Sequence, residues 1–373
     1  MRILFAPDKF KGSLGANEAA AAMARGWSDA WPESVIALHP LADGGDGSLA
    51  VLHAACGGQW KQSTARNARG KRHPVKWLWQ PASTTAWIET AGVIGLAELS
   101  AAERDPLTAS SAGVGELIAS AMREGAEKIM ICLGGIATND AGCGMAAALG
   151  FRFLDGHGRD IEPVPASLLR LKTIEAPPTD KQIKVMALTD VRNPLLGPEG
   201  ASSVYGPQKG AAPCDVEILE NALRHIVDIA RRDIMAPDPM LAGAGAAGGL
   251  GYGVMAFLGG WLLEGSERIG ELTGLPAAVR ASDLIVTGEG RFDAQTAAGK
   301  APAHLAGLAR EQGKPVIAIV GSMADEADSG IFDAVFPLVR EPYDLATALR
   351  DAAHLLEKTA AEAARSVKQG KVC

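Results

Sequence analysis

Five places in this 373-residue chain set charged or amide side chains where a run of β-forming residues gives out. The densest is 283–300, "DLIVTGEGRFDAQTAAGK", where Glu289, Arg291, Asp293 and Lys300 follow an apolar run and Gly288 and Gly290 loosen the backbone between them. An ordinary salt-bridged surface turn would need neither the glycines nor so many polar groups. Near the N-terminus, "APDKFKGSLGANEAA" ends a strand at Asp8, and Lys9 and Lys11 precede a glycine and a helix start whose unpaired N–H groups favour anions. In "LADGGDGS" (41–48), Asp43 and Asp46 flank two glycines, so the backbone can approach a ligand closely; a tight turn with capping aspartates is the plainer alternative. "LGGIATNDAGCGMAAALG" (133–150) brings Thr138, Asn139 and Asp140 to a helix N-terminus, where Asn or Asp ordinarily caps. In "ALTDVRNPLLGPEGASSVYGPQKGA" (187–211), Asp190 closes a buried run, Asn193-Pro194 forces a turn, and Arg192 and Lys209 add cations. A carboxylate so placed is a candidate general base.

These residues are useful only if the chain gathers them. "RILFAP" and "SVIALHPL" read as strands, each followed by a helical pattern, and this βαβα opening predicts a parallel wound sheet. The C-terminal third repeats the style with "DLIVTG", "PVIAIVG" and "AVFPLV", then an amphipathic helix after Asp344. The middle differs: "WKQSTARNARGKRHPVKWLW" and "TTAWIETA" read as an antiparallel meander. The expected organisation is a wound α/β domain of residues 1–62 and 282–373, interrupted by an inserted α/β domain of residues 63–281. In open α/β sheets ligands collect beyond the carboxyl ends of the strands, which is where all five places fall.

Composition narrows the classes. A 47% apolar and 21% charged chain is globular, and a net charge of −7 without a basic block argues against nucleic acid as a partner. Five scattered cysteines without a C-x-x-C pair predict free thiols, and with no secretory leader apparent the expected location is the cytoplasm. The uncharged stretch 239–263 is long enough to span a bilayer, but its glycine and alanine content favours a glycine-rich loop and a buried helix, so no membrane contact is expected. "GAGAAG" (243–248) matches a dinucleotide fingerprint, yet Pro237 and Pro239 stand where its strand should be. There is no P-loop, no protein-kinase signature and no nucleophile elbow, and the histidines lack metal-ligand spacing.

The blocks "APDKFKGSL", "ADGGDGS", "GGIATNDAGCGM", "DVRNPLLG", "GASSVYGPQKGA", "GAGAAGGLGYG" and "TGEGRFDAQTAAGK" occur in an order that resembles the bacterial glycerate kinase family, of the type that is neither P-loop nor protein-kinase-like. The resemblance runs from residue 3 to about 340. It implies a flavodoxin-like wound parallel sheet interrupted by a mixed α/β domain, with the active site in the interdomain cleft. It also implies transfer of the ATP γ-phosphoryl group to D-glycerate, leaning to the C2 hydroxyl. Departures include Ile136 where Ser is usual, Gly15 in place of a capping Ser, and Lys9 where a small residue is common, which makes Lys11 the safer cation.

In a loose phosphoryl-transfer transition state the protein mainly positions groups and neutralises charge. The expected catalytic set is Asp190 as base with Lys11, Lys209 and Arg291; Asp8, Asn139, Asn193, Lys300, Gly288 and Gly290 would bind substrate or phosphate. A carboxylate about 4 Å from a phosphate oxygen is repelled by roughly 4 kcal/mol at an effective dielectric near 20. Asp293, Glu289 and Asp43 are therefore expected to face phosphate only through a cation, and Mg²⁺ suits such a set. The rival readings are a nicotinamide-dependent hydroxy-acid dehydrogenase resting on "GAGAAG" and a non-catalytic small-acid sensor. A homodimer is left open.

Overall fold

The computed structural model describes residues 1–178, 183–292, 300–324, 329–339 and 344–372. Its strands, in chain order, are β1 (Arg2–Pro7), β2 (Val35–Leu38), β3 (Gln59–Arg66), β4 (Arg72–Gln80), β5 (Thr85–Glu89), β6 (Lys128–Cys132), β7 (Arg152–Leu154), β8 (Thr173–Glu175), β9 (Lys184–Leu188), β10 (Trp261–Leu263), β11 (Leu284–Phe292), β12 (Val316–Met323) and β13 (Ala334–Pro337). The chain divides into two compact units: residues 1–43, 50–56 and 266–373, and residues 44–49 and 57–265.

The first unit is built on a five-stranded, wholly parallel sheet in the order β13-β12-β11-β1-β2. Numbered within the unit this is 2-1-3-4-5, the flavodoxin-like order, whose ligand-binding switch point lies at the carboxyl ends of β1 and its neighbour β11. The central strands are apolar on both faces because both are covered. Ile3, Phe5, Leu284 and Val286 pack into one buried cluster with the helices Ala16–Ala30 and Ala352–Lys368. Leu4, Ala6, Ile285 and Val320 pack into another with the helix Ala301–Glu311. Burial on two sides accounts for continuous rather than alternating hydrophobic runs. Gly15 starts the helix Ala16–Ala30, and its own N–H donates to Glu18 Oε2 at 2.9 Å, so glycine still serves half of a capping box.

The second unit contains a six-stranded mixed sheet, β10-β9-β6-β5-β4-β3. The meander expected from the sequence is β3-β4-β5, antiparallel, while β5, β6, β9 and β10 run parallel. Val75 and Trp77 alternate with the exposed Pro74 and Lys76 of β4, and Trp77 and Trp79 join the core over the helix Ala112–Arg123. The uncharged stretch 239–263 folds as a glycine-rich loop, the helix Ala246–Leu258 and β10. No helix among the described residues is long and apolar enough to cross a membrane.

One local expectation changes. Glu289 and Arg291 do not form a turn: β11 runs on to Phe292, keeping parallel register with β12 through Arg291–Ser322 and Phe292–Met323. Glycines permit it. A side chain at Gly288 would collide with the Ile319 carbonyl and Met23, one at Gly321 with the Gly290 carbonyl, and one at Gly290 would stand 3.0 Å from the Lys11 amide nitrogen.

Candidate active site

In the first unit, the register Pro7–Gly288 sets Asp8, just past the end of β1, beside Glu289 within β11, and both are 6% exposed. The Lys9 amide donates to Asp8 Oδ1 at 2.7 Å, and the Asp8 amide donates to the Gly288 carbonyl. Lys9 Nζ reaches Asp43 Oδ1 at 3.3 Å, each side chain about one-fifth exposed. Burial pushes the Asp8 carboxyl up to about 6; the Lys9 charge opposes this, Asp43 adds to it, and Lys300 lowers it slightly. Lys300 stands at the N-cap of the helix Ala301–Glu311, while Lys11 and Arg291 are exposed. Asp8, Lys9, Asp43 and Lys300 are thus one electrostatic group. Lys9, the less favoured of the two lysines, is the one that pairs within it.

The raised Asp8 pKa makes a prediction. The native state binds this proton more tightly than the unfolded chain, so the stability Asp8 contributes is present below pH 3.8 and is lost as pH rises to about 6. Asn keeps the acceptor for the Lys9 amide and does not titrate. Between pH 4 and 6 the stability of the wild type relative to Asp8→Asn should fall by up to about 3 kcal/mol, measured by denaturant unfolding. A flat difference would mean that Asp8 is not desolvated.

In the second unit the polar residues converge at the carboxyl ends of β5, β6 and β9. The loop 44–49 lies against all three. A side chain at Gly44 would come within 2.9 Å of Leu188 Cβ at the end of β9, and one at Gly134, just past β6, within 3.0 Å of Gly45 Cα. Gly44 has a φ of 81°, so glycine is needed there for its conformation as well as for space. From the end of β5, Glu89 accepts the Gly47 amide at 2.8 Å and the Leu49 amide at 3.2 Å. Burial raises the Glu89 carboxyl to about 7, and the adjoining Asp46 adds to the rise while the two amides oppose it.

Asp190 is two residues past Leu188 and partly buried; Thr189 Oγ1 accepts the Val191 amide and shapes the turn. Asn193 is held by the Tyr205 hydroxyl, which donates to its Oδ1 at 2.8 Å, and by its own Nδ2, which donates to the Glu199 carbonyl. Asn139 is fully buried: Nδ2 donates to Ser202 Oγ, and Oδ1 has no hydrogen-bond partner among the described residues. Asp140, also fully buried, accepts the Ser111 amide and hydroxyl at 2.8 Å and the Gly142 and Gly144 amides at 3.1 and 3.2 Å. Burial raises its pKa against those four donors. Lys209 is not on the surface of its loop. It is 3% exposed, its ammonium donates to the Thr138 carbonyl at 2.7 Å, and burial lowers its pKa to about 8 against the pull of Asp140.

Of the expected metal ligands, Asp293 lies outside the described residues. Asp43 and Glu289 are described, and among the described residues no group of three or more His, Cys, Asp or Glu could hold a metal ion. Two hard carboxylates still suit Mg²⁺, which takes its other oxygens from phosphate and water. The Asp43 charge adds to the rise of the Asp8 pKa, which is the charge crowding a cation relieves. Glu89 was not singled out from the sequence, although it ends the β run of "TTAWIETA" and meets the same strand-end criterion as Asp8 and Asp190. Ser111 and Tyr205 carried no sequence signal, because their roles depend on Asp140 and Asn193, 29 and 12 residues away.

A flavodoxin-ordered sheet with acid and lysine side chains at its switch point, accompanied by a mixed sheet with its own strand-end carboxylates, defines an α/β enzyme built to handle anions. Residues 3–368 match the family model "Glycerate kinase family". Glycerate kinase of Bacillus subtilis is 38% identical, covering 100% of this chain and 99% of its own. Glycerate 2-kinase of Escherichia coli is 38% identical over 94% of each chain. In the solved structures, a Salmonella typhimurium LT2 chain assigned as glycerate kinase 2 superimposes with a TM-score of 0.83 at 39% identity, covering 100% of this chain and 99% of that one. The chain belongs to the glycerate kinase family. It is a kinase, with ATP as phosphoryl donor, and not a nicotinamide dehydrogenase or a sensor. The glycine run at 243–248 is preceded by loop rather than by a strand, so it lacks the βα setting of a dinucleotide site.

Proposed function

We propose that this enzyme transfers the γ-phosphoryl group of ATP to the C2 hydroxyl of D-glycerate, giving 2-phospho-D-glycerate and ADP. The observation that carries the choice of C2 is the 38% identity, over 94% of both chains, to a protein named glycerate 2-kinase. In the reaction the Asp190 carboxylate takes the hydroxyl proton as the glycerate oxygen bonds to the γ-phosphorus. The bond from that phosphorus to the β–γ bridging oxygen breaks, and its electron pair leaves on ADP. Asp190 suits the role because it is a partly buried carboxylate on the loop that leaves β9, next to a parallel pair that fixes its backbone.

Lys11, Arg291 and Lys300 supply positive charge to the phosphates, and Asn193, its amide oriented by Tyr205 and Glu199, supplies a fixed polar group for the acid substrate. Lys209 acts from within, holding the 138 carbonyl and so the Asn139 backbone in place. Asp8 with its paired Lys9–Asp43 neighbour sits at the sheet's switch point. Mg²⁺, when bound, would be held by Asp43 and Glu289 and would neutralise phosphate charge; Asp293 is a third candidate by its place in the sequence.

The deciding assay couples the reaction to enolase with no phosphoglycerate mutase present. Product formed from glycerate and ATP should pass directly to phosphoenolpyruvate. Signal that appears only after mutase is added would move the transfer to C3.

A further inference from the structure

The segment 44–49 is flanked on both sides by residues of the first unit, yet it belongs to the second. Backbone contact alone does not explain this. Gly44 and Gly45 lie flat against Leu188 and Gly134, which lets the loop fit the strand ends but does not grip it. The grip comes from β5. Glu89 spreads its two carboxylate oxygens over the amides of Gly47 and Leu49, which flank the first residue of the helix Ser48–Cys56, and Ser48 Oγ closes the turn on the Gly45 carbonyl at 2.7 Å. A carboxylate accepting amides at a helix start is favoured by both the unpaired N–H groups and the helix dipole.

On the functional reading given above, we infer that Glu89 is a positioning residue for phosphoryl transfer: by clamping the Gly47 and Leu49 amides it lays the loop "GGDGSL" across the ends of β5, β6 and β9, beside the turn that carries Asp190. It does not touch the reacting atoms. It acts through the loop, whose Gly47 and Leu49 amides it fixes while Gly44 packs against Leu188, two residues before the base. Asp46, which is exposed, hydrogen-bonds Glu89, so the clamp holds this loop side chain as well as the two amides.

The experiment compares wild type with Glu89→Ala and Glu89→Gln, using glycerate and MgATP, and follows amide hydrogen exchange at Gly47 and Leu49. Glu89→Ala should lower kcat/KM by about 10–100-fold, since a displacement of about 1 Å in a positioning element has that effect. The two amides should exchange at least about tenfold faster, because their opening no longer breaks a bond to a fixed acceptor. Glu89→Gln, with one acceptor oxygen instead of two, should fall between on both readouts, and it carries the test if the alanine variant does not fold. Unchanged kcat/KM in Glu89→Ala would overturn the inference. So would lost activity with exchange unaltered at both amides, which would make Glu89 a group that meets substrate directly. A wild-type enzyme inactive on glycerate would sink the functional reading instead, and the exchange arm would still decide the clamp.

Discussion

Asp190→Asn should lower turnover at saturating glycerate and ATP by about 10²–10⁴-fold, the usual contribution of a positioned general base. The substitution is nearly isosteric, so shape and hydrogen-bonding reach persist while proton acceptance is lost. The backbone at Asp190 is not free to compensate. β9 is paired with β6 on one side and β10 on the other up to Leu188, and the Thr189 side chain fastens the next turn through the Val191 amide. The effect should therefore appear in kcat, with KM for glycerate changing little, because the lost interaction belongs to the transition state. Steady-state kinetics on a variant with wild-type thermal unfolding is the check. Wild-type kcat would remove Asp190 from the role of base and leave the proton to another strand-end carboxylate.

The largest effect on stability should come from Asp140→Ala. This carboxylate is fully buried and accepts four hydrogen bonds that join two pieces of backbone: Ser111 at the start of the helix Ala112–Arg123, and Gly142 and Gly144 at the start of the helix Cys143–Ala148. Alanine leaves those donors without an acceptor inside the protein, and leaves the buried Lys209 ammonium without its carboxylate neighbour. Removing one member of a buried charged group costs about 3–5 kcal/mol. For a unit of this size that lowers the unfolding midpoint by on the order of 10 °C, readable by calorimetry. A loss under about 1 kcal/mol would show that water or a rearranged Ser111 replaces the carboxylate. Asn at the same position keeps one acceptor and should lose less.

These two residues show different degrees of legibility. Asp190 could be picked from the sequence because its signal is local: a carboxylate directly after a buried run, followed by Asn-Pro. Asp140 could be placed near a helix start for the same reason, and it accepts the Gly142 and Gly144 amides there although Gly142 is the N-cap residue, but its role as the acceptor for Ser111 could not be read across 29 residues. Lys209 reads as a loop cation in its glycine-flanked setting. Its interior position follows from the turn at 247–249, where three successive residues take left-handed backbone angles and bring Gly248 against both Thr138 and the lysine. Likewise, Gly288 and Gly290 signal a special backbone, but whether for a ligand or for packing depends on Ile319, Met23 and Lys11, which only pairing with β12, packing of the helix Ala16–Ala30 and the return of the 8–14 loop bring near.

The chain's own residues determined the alternation of strands and helices, the meander in the middle, the family, and the set of strand ends at which polar groups stand, because each of these is written in patterns a few residues long. What the tertiary structure decided was the neighbours: Asp8 beside Glu289, Lys9 on Asp43, Glu89 on the loop 44–49, and the helical residues 266–280 within the wound unit rather than the inserted one. Sheet order sets those pairings. Residues paired across adjacent strands here are up to 281 apart in sequence, as Ile3 of β1 and Leu284 of β11 show, and no local pattern specifies which strand ends will share a site.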